Sequence, residues 1–562
     1  MSDNESDSEP SSPNTPFVDQ VLSSWNGQKA NTEPAIDGSE RIKLSYDQTL
    51  TSVGHYELKV ISGVVSMYGA YLTTKSITRR VLASSTESLP VIRCVSGDWA
   101  EIQLSSVNDT SVSPDLSAVS PLFQGVWKCK CEHCVVNISA SYIKLRHSSE
   151  HHLAKVSSLG TSVDWQQYLH TNAQRSSSTN GAFSIVVTGQ NPLEISTFSR
   201  LLTNSLLTLG KSKSQSQVLF LDLDPERSEN GWPGHISLSK IQQPVLQPNW
   251  THDAQANDTI LRAHPIGVKS NGRSKARYLA GVQDLVRLAN KIRIANRRDP
   301  IQLLIHCPAS AQIFGNGLIK NILEIVTDAE VVNISKTQLS TIPPTHKVTQ
   351  LPPLPENIAL FSSRSVSQQR DMQLQSYFHT TCRPKSSPCP SPITSWRPYV
   401  VSYSEGRCDF AGFHFTPEIP HMYPGMLSNL LNGTLVSIVV ADDNMSFAEH
   451  EILRGEKDDL PYFAPSNDPI IDATMCSSIG IALIRSIDVE RKLLLILAPP
   501  DMSKIASERI VLVAGLFDVP SWAYREDYHF RKHVAQTGDA EARKHFADTS
   551  SGVPWLECSD IV

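Results

Sequence analysis

The chain has 562 residues, a net charge of −6 at pH 7, and 40% hydrophobic and 19% charged residues, enough for two or three globular domains of ordinary composition. The acidic balance excludes a global field that attracts nucleic acid, so any such contact must be local. No apolar run approaches the ~18 residues of a membrane span, the polar start does not read as a secretory signal, and ten scattered cysteines fit a reducing compartment, so no membrane partner is expected.

Residues 1–44, rich in Ser, Asp, Glu, Asn and Pro, read as a disordered acidic tail. From 45 to about 160 the chain turns to short alternating segments with glycine punctuation, at 56–61, 64–69 and 91–94, which predict an N-terminal β-rich domain. Cys129, Cys131 and Cys134 fall inside it, with His133 beside them and His147, His151 or His152 as candidates for a fourth zinc ligand. The spacing is not that of a standard zinc knuckle, and loop thiols are the competing reading.

The segment 161–380 alternates strand and helix patterns, which implies a mostly parallel sheet with its site at the strand C-terminal ends. An apolar run at 183–187 reads as a buried strand and Gly189 opens a loop. Ser196 and Thr197 then start a helix with apolar residues at Phe198, Leu201, Leu202 and Leu206, ended by Gly210. Strand, loop and helix is the context of the phosphate-binding pattern G-x-x-x-x-G-K-S/T. Here Glu194 stands where the last glycine belongs and Ile195 where the lysine belongs. Isoleucine has neither charge nor donor, and a carboxylate ~5 Å from one phosphate charge costs ~3 kcal/mol at an effective dielectric of ~20.

An apolar strand at 218–221 then ends in Asp222 and Asp224, which read as metal ligands or a base, with a strand-end cap as the alternative. A helix at 275–298 follows, apolar at Tyr278, Leu279, Val282, Leu285, Val286, Ala289 and Ile292. Between 269 and 298 nine Lys and Arg residues face one Asp284. Arg287, Lys291 and Arg298 are candidate contacts to RNA phosphates, against the alternative of a solvated helix face. Strands at 301–305 and 331–334 complete the core pattern, and Cys307, with only His306 near it in sequence, reads as a core position. Residues 381–398, rich in Pro, Ser and Cys, read as a linker, and β-type runs at 435–440, 481–484, 493–497 and 510–513 make 399–562 a C-terminal β-rich domain. The expected fold is α/β: a P-loop NTPase-like parallel-sheet core flanked by N-terminal and C-terminal β-rich domains.

The order of these segments resembles the nucleolar polynucleotide 5′-hydroxyl kinase family, in its fungal pre-rRNA-processing branch. The resemblance runs over about 45–560 and is carried by residues 54–58, 63–69 and 88–92, by 196–202, 221–225, 233–238, 264–267 and 376–379, and by 460–462, 480–488, 520–524 and 553–555. It implies phosphorylation of RNA 5′-hydroxyl ends with ATP and Mg²⁺ in the nucleus and nucleolus. It also implies a complex with the endonuclease that cleaves the internal transcribed spacer of pre-rRNA. By resemblance, Gly189, Glu194, Ile195, Ser196 and Thr197 occupy the nucleotide-binding positions, and Ser196 and Asp222 the metal positions. Asp222 and Asp224 would hold the ion or orient the 5′-hydroxyl, and Arg370 matches a lid arginine.

The departures fall on the chemistry. Besides Glu194 and Ile195, the chain has Glu226 and Arg227 where the family has Gly-Gln, and the run Cys307, Pro308, Ala309 and Ser310 where the family has Thr-Pro-Gly-Trp. Three altered windows in a matching scaffold point to a family copy with impaired catalysis; the alternative is a non-catalytic scaffold that binds the nuclease and RNA. If only the phosphate loop is altered, Glu194→Gly with Ile195→Lys should restore at least ~3 kcal/mol of ATP binding. Trp522, Tyr524 and Trp555 are expected to anchor the protein partner, with the core as an equal alternative for Trp522.

Overall fold

The computed structural model describes residues 23–25, 32–34, 39–46, 48–107, 116–128, 135–136, 142–145, 156–178, 181–209, 216–251, 259–268, 274–309, 314–315, 317–338, 342–343, 345–356, 360–381, 391–416, 424–447, 451–464, 471–498 and 505–538. The described residues form three sheets, of eight, seven and nine strands.

The eight-stranded sheet is built on β1 (Glu40–Ser45), β2 (Thr49–Met67) and β3 (Val91–Ser106). The expected short segments at 56–61 and 64–69 are one strand. Gly54 (φ 116°) and Gly63 (φ 77°) bend it without ending it, because glycine tolerates positive φ inside a pairing ladder. The tail boundary at 44 is also corrected. Trp25 is buried, its N–H donates to the Thr49 carbonyl at 3.0 Å, and β1 begins at Glu40. Ile42 and Leu44 are buried while Arg41 and Lys43 point outward, a period-two pattern that the polar composition of the segment conceals.

The seven-stranded sheet contains β4 (Ser184–Gly189), β5 (Val218–Asp222), β6 (His235–Ile241), β7 (Thr259–Pro265), β8 (Gln302–His306), β9 (Ala329–Ile334) and β10 (Val348–Leu351), in the spatial order β7-β6-β5-β8-β4-β9-β10. Strands β5, β8, β4, β9 and β10 are parallel, while β6 and β7 add an antiparallel edge. Alternate residues of each strand enter different cores. Ile185, Val187, Phe220 and Leu304 join one that includes α1 (Val163–Ser178), α2 (Pro192–Thr208) and the N-terminal sheet. Val186, Leu221 and Ile305 join another with α3 (Lys275–Ala295) and α4 (Leu318–Ile325). Both faces of the sheet are therefore covered, as parallel sheets require.

The nine-stranded sheet includes β11 (Leu435–Ala441), β12 (Cys476–Asp488) and β13 (Ile510–Ala514). Two elements on this side differ from expectation. Residues 391–396 are not a free linker: Ile393 and Trp396 are buried, and the Ile393 N–H donates to Glu526 Oε2 at 2.8 Å. The strands are also followed by a helix, α6 (Ser521–Thr537), whose inner face carries Trp522, Ala523, Glu526 and Phe530. Helix α5 (Val366–Thr381) lies against it, with His379 Nε2–H donating to the fully buried Glu526 at 3.1 Å.

Candidate functional site

Adjacent parallel strands bring Gly189, His306 and Asp222 to one end of the sheet, with Asp222 in register with His306. A phosphate loop would leave strand β4 here. Instead, the chain enters α2 almost at once. Asn191 caps the helix, its side chain accepting from the Leu193 N–H at 3.0 Å, and Pro192 opens the first turn. The expected start at Ser196 is thus corrected to Pro192, and residues 192–195 are helix where the pattern needs loop. Two amides of this first turn are already engaged, the Leu193 N–H by the Asn191 side chain and the Ile195 N–H by the Asn191 carbonyl at 3.1 Å. Gly189 has a packing reason of its own: a Cβ there would stand 2.5 Å from the Ile334 carbonyl oxygen.

The two altered residues do not face a phosphate position. Ile195 is fully buried in the core shared with the N-terminal sheet. Glu194 turns to the segment after β10, Oε1 accepting from the Leu354 N–H at 3.0 Å. Burial raises its pKa, offset in part by that bond. The assumed ~5 Å carboxylate–phosphate repulsion is therefore replaced by a different obstacle, the closed helical turn itself.

Ser196, His306 and Asp222 form a buried chain. Ser196 Oγ lies 3.3 Å from His306 Nε2, and His306 Nδ1–H donates to Asp222 Oδ1 at 2.9 Å. The other Asp222 oxygen accepts from Ser228 Oγ at 3.0 Å and the Glu229 N–H at 2.7 Å. Asp224 Oδ1 accepts from the N–H groups of Glu226 and Arg227 at 3.0 and 3.2 Å. Burial pushes the Asp224 carboxyl up to about 6, against the pull of His306 and with the push of Asp222. Burial draws the His306 pKa down, but the Asp222 bond and charge, with Asp224 and Glu229 nearby, outweigh it and raise it. Both Asp222 oxygens are engaged by protein donors, and Ser196 faces an imidazole. This donor set does not fit a Mg²⁺–nucleotide.

Beside this chain, Arg200 reaches Glu87 of the N-terminal sheet region at 3.3 Å and Glu229 at 3.1 Å, all three largely buried. Arg227 Nη2–H donates to Gln369 Oε1 of α5 at 2.7 Å. Together with Ser196 and Thr197 these groups surround about 20 Å³ of water-accessible space, room for roughly one water. Removing Arg200 leaves two buried carboxylates without their shared cation. Arg200→Met is expected to lower stability by about 3–5 kcal/mol, read as a large fall in melting temperature, while Glu87→Gln should cost less.

The other expected site residues lie elsewhere. Arg370 pairs with Asp518 at 3.6 Å and is not among the residues lining the small cavity, so it does not sit as a lid over it. Arg287 and Lys291 lie one turn apart on the exposed side of α3, while Arg298, also exposed, lies in the turn after the helix, which ends at Ala295 and not at 298 as expected. Cys307 is buried, and burial pushes its thiol pKa up, the state of an inert core thiol. Cys129, Cys131 and Cys134, Ser310 and Trp555 lie outside the described residues. His306, Arg200 and Glu229 are site residues that no sequence motif marks, and Arg227 is marked only as a departure from the family.

The family model of the mRNA cleavage and polyadenylation factor CLP1 P-loop matches residues 189–380, the segment that carries this end of the sheet. The polynucleotide 5′-hydroxyl-kinase grc3 of Aspergillus niger is 30% identical over 87% of this chain and 67% of its own length. That of Neosartorya fischeri is 30% identical over 91% of this chain and 70% of its own. The chain belongs to the polynucleotide 5′-hydroxyl-kinase family. A further kinase relative, from Gibberella zeae, is 26% identical over 93% of the chain. A solved structure of wild-type Clp1p in complex with Pcf11p (454–563) shares the fold, with a TM-score of 0.52 and 14% identity over 86% of this chain and 99% of that one. P-loop kinases in general transfer phosphoryl groups from ATP with Mg²⁺. The departures described above therefore fall on a kinase-family scaffold.

Proposed function

We propose that this kinase-family chain serves ribosomal RNA processing in the nucleus and nucleolus as a scaffold that binds pre-rRNA and the spacer-cleaving endonuclease, with 5′-hydroxyl phosphorylation lost or severely impaired. The observation that carries the impairment is the start of α2 at Pro192, which turns the phosphate loop into a helical first turn. The engaged oxygens of Asp222 support it. In this reading Glu194, Ile195, Ser196, Asp222 and Asp224 are structural, and the sheets before and after the P-loop-type core act as two β-rich domains that hold partners. Transfer of radiolabel from ATP to a 5′-hydroxyl oligoribonucleotide tests it, with and without the endonuclease. Background transfer in both is expected; transfer above background that depends on Asp222 would overturn it.

RNA binding should persist without catalysis. The exposed basic stripe formed by Arg287 and Lys291 on α3, with Arg298 in the turn beyond it, supports this in an otherwise acidic chain. Charge reversal at all three is expected to weaken binding to unrelated single-stranded sequences alike. It should also flatten the log K versus log salt slope by about two units, three phosphate contacts at ~0.7 each. An unchanged slope would make the stripe a merely solvated face.

A further inference from the structure

Helix α6 divides sharply between its two sides. Trp522, Glu526 and Phe530 are buried, while Tyr524 is 43% and Tyr528 63% exposed. The two tyrosines stand four residues apart, about 6 Å along the axis on one face. The row beside them carries Arg525, His529 and Lys532, with Arg525 and Lys532 exposed. Among the described residues no acid pairs with Arg525 or Lys532. The neighbouring acids are engaged: Asp527 by Arg531 at 2.8 Å, Asp518 by Arg370, and Glu526 by His379. Burial and the charges of Arg525 and Lys532 lower the His529 pKa against the pull of Glu526, consistent with a positive field on this side.

We propose that the outer face of α6, formed by Tyr524, Tyr528, Arg525 and Lys532, is a contact surface for single-stranded RNA, in which the two rings stack on bases and the two cations meet phosphates. This rests on the RNA-binding reading above. Aromatic faces interleaved with unpaired cations are the composition that binds a single strand without sequence preference. A protein interface of this size would bury its aromatic anchors in surroundings depleted of unpaired charge, whereas here the cations flank the rings. Tyr524 is held in place from one side: a Cβ on Gly433 would lie 2.4 Å from its hydroxyl, so the end of the ring rests on that turn and the side chain stays partly exposed.

The test is fluorescence anisotropy of the full chain with a 3′-labelled 12-mer of uridylate carrying a 5′-hydroxyl. Loss of one base–ring stack weakens binding by roughly five- to hundred-fold. Tyr524→Ala with Tyr528→Ala is expected to bind at least tenfold more weakly, and the Phe pair within about twofold of wild type. Arg525→Ala with Lys532→Ala should flatten the salt slope by about 1.4. Tyr528→Ala alone, at the more exposed position, should weaken binding at least threefold with an unchanged melting temperature, and keeps the test decisive if the double variant misfolds. Alanine variants that bind within twofold of wild type overturn the proposal. If the reversal at Arg287, Lys291 and Arg298 abolishes binding in the same assay, the RNA reading survives that result. If the wild-type chain does not bind the oligomer, both readings fall. If RNA affinity is unchanged but the tyrosine variants no longer co-purify with the endonuclease, the face is a protein interface and the proposal is wrong.

Discussion

Ile195→Lys with Glu194→Gly, the exchange that rebuilds the family's phosphate-loop residues, is expected to unfold the core instead of recruiting ATP. Ile195 is fully buried, in the same core as Trp165, Phe198 and Leu202. A lysine there keeps part of the aliphatic stem but carries an ammonium into an apolar core. Glu194, one residue away, points to Leu354, and adjacent helix positions do not face each other. An uncompensated buried charge costs several kcal/mol, and the displaced packing adds ~1–3 kcal/mol. The sum is comparable to the ~5–15 kcal/mol that holds a typical domain together. The double variant should therefore show poor soluble yield or a melting temperature far below wild type, and no heat with Mg-ATP in calorimetry. Ile195→Val, which keeps the site apolar, should lose only ~0.5–1.5 kcal/mol. A double variant that melts like wild type and binds Mg-ATP at low micromolar concentration would mean that the chain in solution opens the loop at 190–195, and that the impaired reading is wrong.

The strands of the core were legible because they are buried on both faces. Apolar runs such as 183–187 and 218–221 admit few alternatives once turn residues bound them. The start of α2 was legible as well, since Asn191 followed by Pro192 spells a cap and a first turn. The likeness of Ser196 and Thr197 to the end of a phosphate-loop pattern conceals that local signal. The helix α6 left a readable stripe in Trp522, Glu526 and Phe530, obscured by the β-type runs before it. The polar network left no such sign. His306 meets Asp222 across 84 positions, and Arg200 meets Glu87 across 113, so the pairing depends on strand order and on how the N-terminal sheet packs against α2. Local pattern carries neither. The sequence thus shows the departure from the phosphate-loop pattern at Glu194 and Ile195, whereas the contacts of these two side chains depend on tertiary structure.

Asp224→Asn is the complementary case, a change at an expected catalytic carboxylate that should stabilise the protein. Burial lifts the folded pKa of Asp224 from an ordinary 3.8 to about 6. Between those values the folded chain binds more protons than the unfolded one, so stability falls as pH rises through this window. Above it the ionised carboxylate costs about 3 kcal/mol, at ~1.4 kcal/mol per pKa unit. His306 acts in the same sense. Its folded pKa is raised, so its contribution is complete below its unfolded value and is lost as pH rises through the folded one. Asparagine keeps an oxygen for the N–H groups of Glu226 and Arg227, which Asp224 accepts at 3.0 and 3.2 Å. It also withdraws an anion from beside His306, which returns part of the gain. The expected net effect at pH 7.5 is a stabilisation of about 1–3 kcal/mol, shrinking between pH 6 and pH 4, where the wild-type carboxyl itself takes up a proton, and absent below about pH 4. Melting temperatures of both proteins across pH 4–8 measure it. A carboxylate that holds a cation behaves in the opposite way only when the cation is present, because the bound ion stabilises the folded chain. If wild type gains melting temperature with added Mg²⁺ at pH 7.5 and Asp224→Asn does not, Asp224 holds a cation and the structural reading of this carboxylate is wrong.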